Sequence, residues 1–480
     1  MKFVLSALTI SLLCVSCANN AHMNKTVKTE SNTAQSATTL SHSTNTATSS
    51  TPKNIIMVVG DGMGPAYTSA YRYFSDNPVT PEIEETVFDR YLKGMSSTYP
   101  APISGVVTDS AAAATALATG VKSYNGAISV DVNKKNVQTV LEWAKLQGKK
   151  TGVVVTSQIN HATPASYLAH NEYRKNYNEI ADSYIDEGIK ADLYLGGGWK
   201  YFIREDRNLV NEFKQAGFHY IDNYDGLANF PKNKPVLGLF ADTGLPWALD
   251  DSNKHRLSAM TKAGIHHLLD LQHSDDKADN GFFMLIEGSQ IDWAGHGNDI
   301  SDAMAEMDDL AKTIEYLEHF VEHNPDTLVI ITADHSTGGF TIAANGKYEW
   351  NAANLRTMKH SVNYIAKQLT DNEIKAENTT SLFNFELSQD ELNLLKDSKH
   401  NAKVDKTKNM YQSKETSASE LALIKTIKSI MDKRTNSGWT SGGHTAIDVP
   451  VFAFGEQSEL FNGLQDNTDI AKKIFMLLGK

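Results

Sequence analysis

Cysteine is almost missing from this chain: among 480 residues only Cys14 and Cys17 are cysteines. The sequence beyond them can form no disulfide, so its stability must come from its core and from what it binds. A basic surplus is missing as well. Lys and Arg total 45 against 57 Asp and Glu, a formal net charge of −12 at pH 7. That balance argues against nonspecific nucleic-acid binding, which needs basic patches. An anionic ligand must instead be attracted locally, by metals or a buried Arg. No internal repeat is present, which removes solenoid and propeller arrays. What remains is an ordinary globular composition, 41% hydrophobic and 21% charged. The chain is long enough for one large domain with an insertion.

Residues 1–17 read as an export signal. Lys2 supplies the positive charge and FVLSALTISLLCV the apolar run, which is too short to span a bilayer with proper flanks. CVSC resembles a bacterial lipoprotein cleavage box, with Cys17 as the lipidated residue. Cys14 stands where that box usually has Leu, so cleavage and plain secretion is the alternative. The expected location is the periplasm or, through a lipid on Cys17, a membrane surface. Residues 18–52 are rich in Ser, Thr and Asn, the composition of a disordered tether.

From residue 53 a pattern recurs in which a short apolar run ends in Gly, Asp, Glu or His. NIIMVVGDGMG (54–64), TGVVVTSQINHATP (151–164), GFFMLIEGSQIDWAGHGND (281–299) and TLVIITADHSTGG (327–339) show it. GGHTAIDVPVFAFG (442–455) places its polar residues before the strand. Helical patterns such as VQTVLEWAKLQGK (137–149) and DAMAEMDDLAKTIEYLEHFVEH (302–323) lie between them. Apolar strands alternating with helices predict a mostly parallel sheet covered on both faces, with sites beyond the carboxyl ends of its strands. A lone Asp after a strand is ordinarily a turn or cap. Here Asp61, Glu287 and Asp334 recur at strand ends, and Asp292 and His296 share a helical face at four residues' spacing. His335 adjoins Asp334, and His444 follows two glycines. Three His with several carboxylates suit zinc and magnesium by ligand type.

TDSAAAATALATG (108–120) admits two readings. Alanine is the best helix former and Ser a preferred cap, which gives an ordinary capped helix. Alternatively Ser110 is a nucleophile: a helix start presents free N–H groups to a phosphate, and small neighbours leave room for it. The stretch alone does not choose.

Together VGDGMG, TDSAAAAT, HATPASYLAH, EGSQIDWAGH, TADHSTGG and GGHTAIDVP resemble the alkaline phosphatase family, in the family's order, across residues 53–345 and about 436–480. The resemblance implies an α/β three-layer sandwich around a mostly parallel sheet, with residues 346–435 as an inserted lid or crown. It implies a phosphoserine nucleophile at Ser110 and a phosphate-clamping Arg174 oriented by Asp109. One zinc would be held by Asp292, His296 and His444, and a second by Asp61, Asp334 and His335 beside Ser110. Asp61 would bridge to a magnesium site with Thr163 and Glu287. His161 and Trp293 resemble members other than the enterobacterial type. An imidazole from His161 at the third site would favour zinc there over magnesium. Trp293 would stack near the substrate mouth. Small phosphate monoesters are the implied substrates and a homodimer the implied assembly.

The inferred chemistry is physically coherent. A serine hydroxyl is a poor nucleophile until a base or metal activates it, and two metals can hold the entering and leaving oxygens of an in-line displacement. An arginine fork grips two phosphate oxygens at once, which lysine cannot match. Three rivals are weaker. A sulfatase needs a Cys/Ser-x-Pro-x-Arg setting, whereas alanines follow Ser110. Diesterase siblings generally use Thr and lack the third site that Thr163 and Glu287 would build. A noncatalytic metal-binding lipoprotein would turn over no phosphate ester. Within 346–435 the sequence predicts helices at NAANLRTMKHSVNYIAKQL, FELSQDELNLLK and ELALIKTIKSIMDKR, with His360 structural. YLGGGWKYF (194–202) reads as a turn after a strand, because it lacks the Lys-Ser or Lys-Thr of a phosphate loop.

Overall fold

The computed structural model describes residues 51–273, 279–402 and 416–480. The export signal, Cys17 and nearly all of the tether lie outside the described residues. Among the described residues no helix is long and apolar enough to cross a membrane.

Ten strands form the central sheet: β1 (Asn54–Gly60), β2 (Leu92–Ser97), β3 (Lys150–Gln158), β4 (Leu193–Gly197), β5 (His219–Ile221), β6 (Val236–Leu239), β7 (Phe282–Gly288), β8 (Thr327–Thr332), β9 (Val449–Gly455) and β10 (Gly463–Asp466). Their order across the sheet is β10-β2-β9-β8-β1-β7-β3-β4-β6-β5. Only β9 is antiparallel to its neighbours, β2 and β8. The mostly parallel sheet expected from the sequence is therefore present.

Strand β1 shows why both faces are covered. Ile55, Met57 and Val59 enter one apolar cluster, while Ile56 and Val58 enter the other. Successive strand side chains point to opposite faces, so a continuous apolar run needs a helical layer on each side. Helices Pro65–Ser75, Arg256–His273 and Ile300–His323 supply one layer. Helices Ser110–Thr119, Val140–Leu146, Ala162–Leu168 and Asn467–Leu477 supply the other. In Ile300–His323 the buried positions Ile300, Ala303, Met304, Met307, Leu310, Ala311, Ile314 and Leu317 repeat every three or four residues. Burial of each large member contributes roughly 1.5–3 kcal/mol. The Asp299 side chain caps this helix by accepting from the N–H groups of Ser301 and Asp302.

The described residues of 346–435 contribute five helices, broken at 358–361 and opened at Ser388 by a capping box with Glu391. Their buried Val362, Ile365, Leu369, Leu395, Leu423 and Ile427 join the same apolar cluster as helix Ile300–His323. His360 stacks on Tyr364 at 4.3 Å between ring centroids and lies 3.8 Å from Asp250.

Strand register levels the polar residues at the carboxyl edge. Val59 of β1 pairs with Glu287 on one side and Thr332 on the other. Asp61 and Asp334, each two residues further along, therefore leave the sheet at one height beside Glu287.

Candidate active site

The helix Ser110–Thr119 starts at this edge, and its cap is Asp109 rather than Ser110. The Asp109 side chain accepts from the N–H of Ala112 at 3.0 Å. With capping done one residue earlier, the Ser110 hydroxyl stays out of the helix's own hydrogen bonding. It lies 3.1 Å from His335 Nε2 and is 1% exposed. Ala111, Ala112, Ala113 and Ala114 are all buried, so the slim face of the helix start adjoins the sheet and its ligands.

Asp109 serves three partners. Besides the cap, it accepts from Gly126 N–H at 3.0 Å and from Arg174 Nη1 at 3.0 Å. The other end of the Arg174 guanidinium lies 3.3 Å from His161 Nε2. Arg174 thus crosses between Asp109 and His161 above Ser110's surroundings.

Three groups of metal-ligating residues come together, each with its ligand atoms within 4.8 Å of one another. The first is Asp292, His296 and His444, with the two Nε2 atoms 3.0 Å apart. The second is Asp61, Asp334 and His335, where His335 Nε2 is 3.4 Å from Asp61 and 3.2 Å from Asp334. The third is Asp61, His161 and Glu287, so Asp61 belongs to two groups. Thr163 is fully buried in the first turn of helix Ala162–Leu168.

These donors fit cations. Asp61 Oδ1 and Oδ2, His161 Nδ1, Thr163 Oγ1, Glu287 Oε1 and Asp334 Oδ2 are all buried without a hydrogen-bond partner. Buried polar atoms are nearly always paired, and a run of orphaned acceptors at one edge is the donor set of a metal centre. The electrostatics agree. Burial, reinforced by Asp334, Asp292 and Glu287, pushes the Asp61 carboxyl well above the usual carboxylate range. Burial likewise pushes Asp334 up to about 8 and Glu287 up to about 7. Burial, with His444, His296 and Arg174 nearby, holds His335 well below an ordinary imidazole and therefore neutral. Crowded carboxyls and neutral imidazoles await positive charge from outside the protein.

The helix Gln290–Gly297, which carries Asp292 and His296, is held from behind. Gln290 donates to the carbonyls of Thr156 and Leu245, and its own Oε1 accepts from Arg256 Nη2 at 3.1 Å. Arg256 is fully buried and also donates to both oxygens of Glu306, at 2.8 and 2.9 Å, and to Asp309 at 2.8 Å. This ionic bed lies below the first turn, two residues before Asp292.

A cavity of about 530 Å³ opens over Ser110, Arg174 and the histidines. Trp293 lines it, edge-on to His161 at 5.9 Å and pressed against Gly244, where an added Cβ would fall 2.3 Å from the indole. Other lining residues escaped the sequence reading: Gln158, Lys175, Tyr177, Lys200, Tyr201 and Thr243 among them. Lys200 and Tyr201 belong to YLGGGWKYF, which does turn after β4. Gly198 takes φ +136°, and a Cβ on Gly197 would strike the Thr243 carbonyl. That close approach brings Lys200, Tyr201 and Thr243 to the cavity; lysine and tyrosine after the glycines were the available signal.

The alkaline phosphatase family model matches residues 52–479. Alkaline phosphatase 3 of Bacillus subtilis is 46% identical over 432 residues, 89% of each chain. The cold-active alkaline phosphatase of a psychrophilic Shewanella is 47% identical, with a TM-score of 0.80 over 89% of this chain and 100% of that one. A His-to-Asp variant of the alkaline phosphatase from the Antarctic bacterium TAB5 has Mg bound in its M3 site. It is 29% identical, with a TM-score of 0.63 over 89% of this chain and 98% of that one. Fold, ligand groups and relatives converge: the chain belongs to the alkaline phosphatase family and is a phosphatase acting on phosphomonoesters.

Proposed function

We propose that this enzyme is exported, depends on zinc and magnesium, and works through a phosphoserine at Ser110. The observation that carries the reading is the buried Ser110 Oγ, uncapped at a helix start and 3.1 Å from His335 Nε2. Asp292, His296 and His444 would hold one zinc, and Asp61, Asp334 and His335 the other. Asp61, Thr163 and Glu287, with His161 beside them, would hold magnesium or a third zinc. When bound, such ions lower the pKa of serine and water oxygens and stabilise a departing alkoxide.

The chain's own residues then do the following. The helix start aims Ser110 Oγ and free backbone N–H groups at the phosphoryl group. Arg174 grips two phosphate oxygens in its fork, and Asp109 keeps that fork in place. The Ser110 oxygen bonds to phosphorus as the ester P–O bond breaks and the alcohol leaves. Water then cleaves the phosphoserine and releases inorganic phosphate. The −12 net charge makes this local cationic capture necessary.

The same reading takes residues 53–345 with 436–480 as the catalytic body and 346–435 as the inserted lid or crown. Lys428 supports it by donating to the Gly297 carbonyl at 2.9 Å, tying that region to the end of a ligand-bearing helix. Export through residues 1–17, either to the periplasm or with a lipid on Cys17 as anchor, and a homodimer complete the proposal, resting on the leader's pattern and on family resemblance.

The test is acid quenching during turnover of a chromogenic monoester, followed by mass spectrometric location of phosphate. Phosphate on Ser110, with kcat at least about a thousandfold lower in Ser110→Ala at unchanged metal content, is expected. Phosphate on another residue, undiminished turnover by Ser110→Ala, or faster turnover of the matched diester overturns the reading.

A further inference from the structure

The cavity is far larger than the reacting group. Spaces of about 300–1,000 Å³ take whole drug-sized ligands, whereas a phosphoryl group occupies only the end at Ser110 and Arg174. The remaining walls have a definite chemistry. Trp293 is fixed against Gly244. Tyr177 and Tyr201 form a second aromatic surface, with ring centroids 5.0 Å apart and planes 32° from parallel. Tyr201 is 9% exposed and hence rigid, and flat, rigid rings favour stacking on another flat ring.

Two cations stand on the same walls. Lys175 and Lys200 are exposed, line the cavity, and enter no ion pair among the described residues. Lys200 Nζ lies 5.5 Å from the Tyr201 ring centroid, so positive charge and aromatic surface are side by side. In a protein with a net charge of −12, two unpaired lysines beside one cavity are a local reversal of sign. The third feature is Gln158, which closes β3. Gln158 is among the lining residues and 5% exposed, and its Oε1 is buried with no hydrogen-bond partner. A buried acceptor left unpaired is costly, so this wall favours a ligand that brings an N–H or O–H donor.

We infer that Gln158, Trp293, Tyr177, Tyr201, Lys175 and Lys200 form a leaving-group subsite. It takes phosphomonoesters whose alcohol carries a flat, donor-bearing aromatic ring and a second anionic group, the chemistry of a nucleoside bisphosphate. The inference rests on the proposed reading of Ser110 and Arg174 as the phosphoryl end of the cavity. Aromatic contact selects the ring, the Gln158 amide selects its donor, and the lysines select the second anion. No new reaction step is required, since the scissile bond remains the ester at Ser110.

The metal-loaded enzyme tests this with three primary-alcohol esters of similar intrinsic reactivity. Ribose 5-phosphate lacks the ring, adenosine 5′-monophosphate adds it, and adenosine 3′,5′-bisphosphate adds the second anion. The expected order of kcat/KM rises at each step. The ring adds about fivefold to tenfold. The second anion adds about fivefold, above the twofold that a second ester supplies by number alone. In Lys175→Met/Lys200→Met, two exposed changes that leave the core intact, the bisphosphate advantage should fall to about twofold. The ratio of adenosine 5′-monophosphate to ribose 5-phosphate should persist. Equal kcat/KM on all three esters, or a bisphosphate advantage unchanged in the double variant, overturns the subsite while leaving the phosphatase intact. Absence of turnover on every ester overturns the reading of Ser110 and Arg174 as well, so the two failures are distinguishable.

Discussion

Replacing Arg256 by Met should separate the support of the site from its chemistry. Methionine fills a similar volume but supplies no charge. Glu306 and Asp309, 2% and 1% exposed, would then face each other without the guanidinium that now donates to both. Breaking a buried ionic group by removing one partner costs about 3–5 kcal/mol, or a drop of roughly 1 M or more in the urea midpoint. The loss should depend on pH in a definite direction. Asp309 is already raised, by burial, to about 6 with Arg256 present, and without the arginine it rises further. A carboxyl whose folded pKa is raised adds no penalty below its unfolded value, near 4, and its full penalty above the folded one. The gap between wild type and variant should therefore be widest at pH 8 and shrink towards pH 5. Urea titrations at both pH values, on metal-loaded protein, read this directly. Adding Glu306→Gln and Asp309→Asn should recover most of the loss, because neutral amides need no counter-charge. Retained metal should also fall in the single variant, since Gln290 loses its Arg256 bond two residues before Asp292. A gap below about 1 kcal/mol at pH 8, or one that widens on acidification, would refute the reasoning.

Chelation should expose the carboxyl crowding. In metal-free protein the raised Glu287 and Asp334, at about 7 and 8, make stability fall as pH rises from about 4 to about 8 and level off above it; denaturant midpoints of chelated protein that stay flat over that window would count against it. Gly244→Ala must push the indole of Trp293 away, costing about 1–3 kcal/mol and shifting tryptophan emission; an unmoved emission spectrum with unchanged KM would sink this account of the cavity wall. Lys428→Met removes the donor to the Gly297 carbonyl and should cost about 1 kcal/mol, checked by thermal unfolding of the metal-loaded protein against wild type.

The residues that gather at the sheet's carboxyl edge were readable because parallel sheets put function at strand ends. Asp61, Glu287 and Asp334 lie within two residues of the last sheet pairings of β1, β7 and β8, so an apolar run followed by an acid already points to one edge. What the chain did not announce are contacts made by crossovers. Lys200 and Tyr201 reach the cavity only because Gly197 packs on the Thr243 carbonyl, 46 residues away (243 − 197). No local pattern marks Arg256, in helix Arg256–His273, or its partners Glu306 and Asp309, in Ile300–His323. Only the packing of those helices on the sheet turns both inward. The choice left open at Ser110, cap or nucleophile, needed the structure: Asp109 takes the cap, and since Asp and Ser are nearly equal at that position only backbone geometry distinguishes them.

The pairing of His444 and Thr445 with Thr337 and Ser336 has a consequence for the timing of synthesis. It seats His444, which enters the chain 383 residues after Asp61 (444 − 61). At about 5–20 residues per second a ribosome needs roughly 20–80 s to travel that distance. Throughout that interval the nascent chain carries the early carboxylates but not the imidazole that completes the group with Asp292 and His296. The cluster of acids and imidazoles is therefore complete only when almost the whole polypeptide has been made, and a truncated product would release an acidic edge without His444.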